Sequence, residues 1–157
     1  MIAVAQRVLR AGVRVETAAG TWDEVGSVER GLLVLVGVSV SDGEDEAAWL
    51  ARKLAQLRVF PDEEGRLNRA VLEVGGGVLL VSQFTLLGDC RRGNRPSFVR
   101  AAPPEQAEPL VESVVKRLRG EHGVPVATGR FRTEMRVELI NDGPVTIVIE
   151  SPDRTLE

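Results

Sequence analysis

Two short stretches of this chain carry side chains that could do chemistry, and a third carries concentrated charge. Ser82-Gln83-Phe84-Thr85-Leu86 sets two hydroxyls at the end of the apolar run 78–82, where side chains can emerge from a rigid strand into a pocket or simply form a turn. A serine or threonine nucleophile needs a neighbouring base, usually histidine or lysine. The only histidine, His122, lies in GEHG and reads as a surface residue at a helix end. No HExxH or cysteine cluster accompanies it, so the pattern implies neither a metal site nor a zinc hydrolase. The GxSxG nucleophile elbow and the glycine-rich signatures of dinucleotide and phosphate loops are also absent, and no cofactor is expected. Any hydrolysis must therefore lean on backbone amides and on the substrate itself. The second stretch, Asn141-Asp142-Gly143-Pro144, reads as a hairpin turn between two strands. It also exposes backbone carbonyls beside a position with no side chain. The third, from Gly88 to Arg100, holds Arg91, Arg92, Arg95 and Arg100 against Asp89 alone, which suits either a solvated loop or a phosphate-facing patch.

The elements that must position these residues follow from periodicity. Residues 2–8 and 13–17 predict an opening pair of strands, and 31–38 (GLLVLVGV) a nearly all-apolar buried strand. Ser41 and Glu44 suggest a capping box that starts a helix with Ala47, Leu50, Ala51, Leu54 and Ala55 on one face. A short strand at 57–60, a polar turn at 62–65 and the strand 78–82 come next. A second helix starts near 103–105 and aligns Ala107, Leu110, Val111, Val114, Val115 and Leu118. Strands at 124–128, 135–140 and 145–150 complete the chain. Many strands, two amphipathic helices and no regular βα alternation predict an α+β fold: one strongly curved, barrel-like sheet with both helices packed outside. Residues 1–150 form the single domain, and 151–157 a polar tail.

Composition bounds the function. A chain of 157 residues with 43% apolar and 27% charged side chains fits one folded domain with its own core, rather than a disordered or membrane protein. Arginines interrupt the apolar N-terminal run, and no stretch approaches the roughly 20 apolar residues of a bilayer span. A cytoplasmic location is the default, with no membrane partner. The lone Cys90 has no intrachain partner. A net charge of −3 argues against indiscriminate coating of nucleic acid, and four Phe, two Trp and no Tyr argue against a broad base-stacking platform. Backbone contacts to a structured nucleic acid remain compatible with the basic segment.

At this point the chain resembles the D-aminoacyl-tRNA deacylase family. The likeness rests on Gln6-Arg7-Val8, Ser82 to Leu86, Arg95-Pro96-Ser97-Phe98, Thr128-Gly129-Arg130-Phe131 and residues 141–146 (NDGPVT), in the expected order across residues 1–150. The resemblance implies a homodimer with cross-subunit active sites that frees tRNA of mischarged D-amino acids or glycine and rejects L-aminoacyl-tRNA, a proofreading step in translation. It implies that Ser82, Gln83, Phe84 and Thr85 form the catalytic motif. Asn141, Gly143, Pro144, Val145 and Thr146 would form the chirality-selecting motif, with a cis Gly-Pro bond oriented by Arg7. Met135, together with Gln6, would flank the terminal adenosine, and Arg91, Arg92 and Arg95 are the expected contacts to the tRNA backbone. Leu87-Gly88 stands where relatives often carry an aromatic residue. Asp142 and Val145 fit the D-selective branch rather than the animal branch with a trans bond. The competing reading is a non-catalytic, dimeric tRNA-binding module of the same fold.

Overall fold

The computed structural model describes residues 1–152, so 153–157 of the expected polar tail lie outside the described residues. The chain opens with an unusually long strand, β1 (Ile2–Ala18), followed by β2 (Thr21–Val28), β3 (Gly31–Gly37), α1 (Glu44–Gln56), the short pair β4 (Phe60–Pro61) and β5 (Leu67–Arg69), β6 (Gly77–Ser82), α2 (Pro104–Gly120), β7 (Val126–Thr128) and a second long strand, β8 (Met135–Glu150). The main sheet runs β2-β1-β3-β6-β7, with β8 on the other edge of β1. β1 spans two neighbourhoods. Its first half pairs β3 and its second half pairs β2, while β8 runs antiparallel along nearly its whole length.

The predicted pair of strands at 2–8 and 13–17 is thus one strand whose phase slips. Ala3 and Ala5 face the helices, whereas Val8, Ala11 and Val13 face the interior of the curved sheet. The register shifts flank Val8: β8 carries extra residues before it and β1 carries one, Leu9, after it. This local slip is why alternation alone splits the strand in two. β2, which periodicity does not single out, follows Gly20 at a tight reversal with φ 76°. Its TWDEVGSV pattern is largely exposed and carries little apolar signal.

β3, β6 and β7 run parallel, joined by crossovers through α1 and α2. Both faces of β3 and β6 are covered, and this explains their unbroken apolar runs. One core lies between the sheet and the helices and includes Leu32, Val34, Leu50, Leu54, Val114 and Leu118. The other fills the curved sheet with Val8, Val13, Leu33, Leu79 and Val81. The curve nearly closes where β2 meets β7. A β-carbon on Gly26 would lie 2.5 Å from the Thr128 carbonyl oxygen, so only a bare backbone allows this approach.

All six aligned apolar residues of α2 are buried, as the 3.6-residue period requires. α1 starts later than the Ser41/Glu44 reading. Its cap is Gly43, whose N–H donates to the Glu46 carboxylate at 2.7 Å. Asp42 is engaged elsewhere, accepting from the α-amino group of Met1 and the Ser39 N–H, each at 2.6 Å. The strand expected at 57–60 shrinks to Phe60–Pro61. Residues 141–144 are not a hairpin turn: β8 is continuous and remains on β1 both before and after them. Among the described residues, no helix is long and apolar enough to cross a membrane.

Candidate functional site

The carboxyl ends of adjacent parallel strands commonly frame a ligand crevice, and here they frame a cavity. β6 ends at Ser82, opposite Val36 of β3, and the Gln83 N–H extends the ladder to the Val36 carbonyl at 2.7 Å. The chain then tightens into a single 3-10 turn, Phe84–Leu87. The first N–H groups of such a turn have no acceptor within it. The Gln83 side-chain amide donates to the Thr85 hydroxyl, fixing both side chains. Phe84, 55% exposed, meets the edge of Phe98 with ring centroids 5.2 Å apart. Thus Arg95-Pro96-Ser97-Phe98 folds back over the turn, aided by reciprocal backbone hydrogen bonds between Asp89 and Ser97.

The cavity, about 530 Å³, is lined by Val38, Ser82, Gln83, Phe84, the start of α2, and Phe131, Arg132, Thr133 and Met135. Among the described residues, no carboxylate or imidazole lines it. The available polar groups are hydroxyls, amides and the Arg132 guanidinium, which suits stabilisation of developing negative charge better than proton abstraction. Arg132 adopts φ 58°, in the left-handed region, and donates to Glu105 in the first turn of α2 at 2.8 Å. The Glu105 carboxyl is held below the usual carboxylate range by a backbone N–H at the helix start and by Arg132. Sequence reasoning placed Met135 here but missed Arg132 and Thr133. Their only signal is a polar GRFRT segment between two strands.

The motif at 141–146 takes a different place. Gln6 pairs with Thr146 and Val8 with Asn141, so Asp142, Gly143, Pro144 and Val145 bulge from β8 opposite Arg7 alone. Arg7 is 92% buried (8% exposed) and joins the bulge to the core. Its Nη1 donates to the Val59 carbonyl at 2.7 Å and its Nε to the Asp142 carbonyl at 3.1 Å, while the Asp142 carboxylate forms an ion pair with the same Nε at 3.1 Å. Asn141 braces the other side, accepting from the Val145 N–H at 2.9 Å and donating to the Thr146 hydroxyl at 3.1 Å. Gln6 also donates to that hydroxyl, at 3.2 Å. Gln6 therefore stands with the bulge and not among the residues lining the cavity. The Gly143-Pro144 bond is cis. Gly143 has φ 132°, and a β-carbon there would lie 2.8 Å from Val145 Cγ2 and 3.0 Å from an Arg7 nitrogen. Within the one chain, the structure does not bring the bulge to the cavity of Ser82 and Phe84.

The basic segment divides in two. Arg91 is engaged by Asp89 through both its Nε and Nη2, and this contact holds the Asp89 carboxyl well below its usual range. Arg92 and Arg95 are exposed and, among the described residues, free of ion pairs.

Comparison with known proteins gives a consistent picture. The family model described as D-Tyr-tRNA(Tyr) deacylase matches residues 4–150. The D-aminoacyl-tRNA deacylase of Heliobacterium modesticaldum is 56% identical over 150 residues, covering 96% of both chains. That of Anaeromyxobacter dehalogenans is 59% identical over 151 residues, covering 96% of this chain and 97% of the relative. Among solved structures, the c-Myc DNA unwinding element binding protein superposes with a TM-score of 0.88 at 40% identity, covering 98% of this chain and all of that one. A probable eukaryotic D-amino acid tRNA deacylase shares the fold at a TM-score of 0.79 and 13% identity, covering 94% of this chain and 97% of its own.

Proposed function

The chain belongs to the D-Tyr-tRNA(Tyr) deacylase family, and from that premise we propose that it hydrolyses the ester between a D-amino acid, or mischarged glycine, and the terminal adenosine of tRNA, while sparing L-aminoacyl-tRNA. The observation that carries the reading is the cavity at the ends of β3 and β6, framed by Ser82, Gln83 and Phe84 and, among the described residues, free of carboxylate and imidazole. The terminal adenosine occupies this cavity against Met135. The ester carbonyl lies over the first N–H groups of the Phe84–Leu87 turn, which stabilise its oxygen as water adds. The ribose 2′-hydroxyl orients that water, the bond from carbonyl carbon to O3′ breaks, and O3′ takes up the proton. Thr85, locked to Gln83, positions the substrate and forms no acyl intermediate.

Selection resides in the bulge. Gly143 presents bare backbone, Arg7 and Asn141 hold it still, and an L side chain collides with it, whereas hydrogen or a D side chain does not; the same backbone's carbonyls accept from the substrate's α-amino group and so hold a D ester in place for attack. The bulge of one subunit fills this role for the cavity of its partner in a homodimer. Exposed Leu9, Ile140 and Val148 on β1 and β8 support such an assembly. Arg92 and Arg95 lead the contacts to the tRNA backbone, with Arg91. A tRNA substrate assigns the enzyme to translational proofreading in the cytoplasm. The test is time-dependent deacylation of matched D-, L- and glycyl-tRNAs by the purified protein. Cleavage of the D and glycyl esters alone is expected; release of D-amino acid at only the spontaneous rate refutes the reading.

A further inference from the structure

A second cavity, about 480 Å³, opens on the α2 side of the first. Ser82, Phe131 and Met135 line both, so the two are neighbouring compartments across one shared wall. The floor of the second is apolar, from Leu80, Val111 and Val115. Three cations stand on its rim: Lys116 and Arg119 from α2, and Arg130 just beyond β7. Lys116 is only loosely engaged, 3.7 Å from Glu112 at an exposed site. Arg119 donates to the Val126 carbonyl at 2.6 Å. The Arg130 guanidinium has no ion pair among the described residues.

An apolar floor beneath a cationic rim suits a flat base attached to a phosphate. Glu108 and Glu112 also line the cavity, so its occupant must bring hydrogen-bond donors of its own. An exocyclic amino group on the base meets that need, as a cytosine amine does for a carboxylate. Resting on the reading that the terminal adenosine fills the first cavity, we propose that the second holds the preceding nucleotide of the tRNA 3′ end. Its amino-bearing base sits on Leu80 and Val115, Glu108 accepts from the exocyclic amine, and Arg130 with Lys116 neutralises the phosphate that links it to the adenosine. The strand enters along α2, and the enzyme reads the last two nucleotides as a unit.

Equilibrium binding of uncharged fragments tests this without depending on hydrolysis. Adenosine, cytidylyl-(3′→5′)-adenosine and uridylyl-(3′→5′)-adenosine are titrated into wild type, Arg130→Ala and Arg130→Gln. Both substitutions fall at an exposed position and leave the fold intact, as circular dichroism checks. The cytidylyl dinucleotide is expected to bind at least about tenfold more tightly than adenosine and to outcompete the uridylyl one. Both Arg130 variants should lose most of that gain while holding adenosine unchanged. Equal affinity for adenosine and both dinucleotides, or an equal loss for all three in the variants, overturns the proposal. Failure of the hydrolytic reading has a different sign: intact D-aminoacyl-tRNA in the presence of enzyme, whatever the dinucleotides do.

Discussion

Replacing Arg7 separates what holds the bulge from what holds the fold. Its guanidinium reaches a buried carbonyl of Val59 and, on another edge, the Asp142 carbonyl and carboxylate. In Arg7→Met the Val59 oxygen is left buried without this donor, at about 1–3 kcal/mol. The half-exposed contacts to Asp142 add about 1 kcal/mol, since exposed ion pairs are weak. The sum is about 3 kcal/mol, and for a chain of this size each kcal/mol lowers Tm by about 2–4 °C, giving a fall of about 6–12 °C. Arg7→Lys keeps the charge and one bond to Val59, but a single ammonium cannot span both carbonyls. It should cost about 1–2 kcal/mol and melt only about 2–8 °C early. Its cleavage of D-aminoacyl-tRNA at 25 °C, far below melting, should nevertheless fall at least about tenfold, because the bulge has lost its tether. Thermal melts and single-turnover deacylation on the same preparations read both effects. Wild-type cleavage by Arg7→Lys, or a melt of Arg7→Met within about 2 °C of wild type, refutes the reasoning.

Other consequences follow from single contacts. Gly26→Ala forces a β-carbon against the Thr128 carbonyl oxygen at 2.5 Å and must separate β2 from β7, so urea denaturation should show a loss of about 1–3 kcal/mol, and an unchanged midpoint contradicts the packing described. Arg92→Ala with Arg95→Ala removes two unpaired guanidiniums, and the slope of log K against log salt for tRNA binding should shrink by about 2, whereas Arg91→Ala, already engaged by Asp89, should change it least. The Asp89 carboxyl is depressed below its ordinary value of 3.8, chiefly by the Arg91 side chain. Its contribution to the loop is therefore complete above that ordinary value and lost only as pH falls through the lower, folded value. Hydrogen exchange at the Arg91 amide, which donates to Asp89 at 2.9 Å, should stay slow at about pH 4 in wild type and speed up in Asp89→Asn.

How far the sequence could be read depended on whether signals were local. The apolar face of α2 and the buried runs of β3 and β6 were legible because each repeats a strong period with burial on fixed positions. The helix start slipped from Ser41 to Gly43 because Asp42, a natural cap, is claimed by the N-terminal ammonium, a contact between residues far apart in sequence. Residues 141–144 read as a hairpin turn, rather than as part of the bulge at 142–145, for a similar reason. Asp-Gly-Pro is good turn chemistry in either setting, and only pairing of β8 to β1 on both sides distinguishes them. Arg132 and Thr133 gave no sign of lining a cavity because their position is set by Glu105 on another element. Ser82 to Thr85 stood out at the end of an apolar strand, yet hydroxyls without a base did not specify a reaction.

The sheet register also decides which cavity the bulge could serve. Arg7, directly opposite the bulge, pairs with Leu32 of β3, and Leu32 with Val78 near the start of β6. Ser82, at the cavity, is four residues further on, about 13 Å along the strand. Across the sheet, β8 is separated from β6 by β1 and β3, three steps of about 4.8 Å each. A four-residue bulge with both ends paired and its middle bound to Arg7 projects only about two residues, roughly 7 Å. Its residues do not line the cavity of its own chain, and the proposed filter is therefore expected to act from a second copy. Gly143→Ala spoils the bulge and leaves its cavity whole; Ser82→Trp fills the cavity and leaves its bulge whole. Each variant alone should be nearly inactive on D-aminoacyl-tRNA. Mixed, unfolded together and refolded, they form heterodimers in which one cavity of the two meets an intact bulge, and about half of those sites' wild-type activity should return. No recovery beyond the sum of the separate variants, in a mixture shown by native mass to contain heterodimer, would mean that filter and cavity do not meet across subunits.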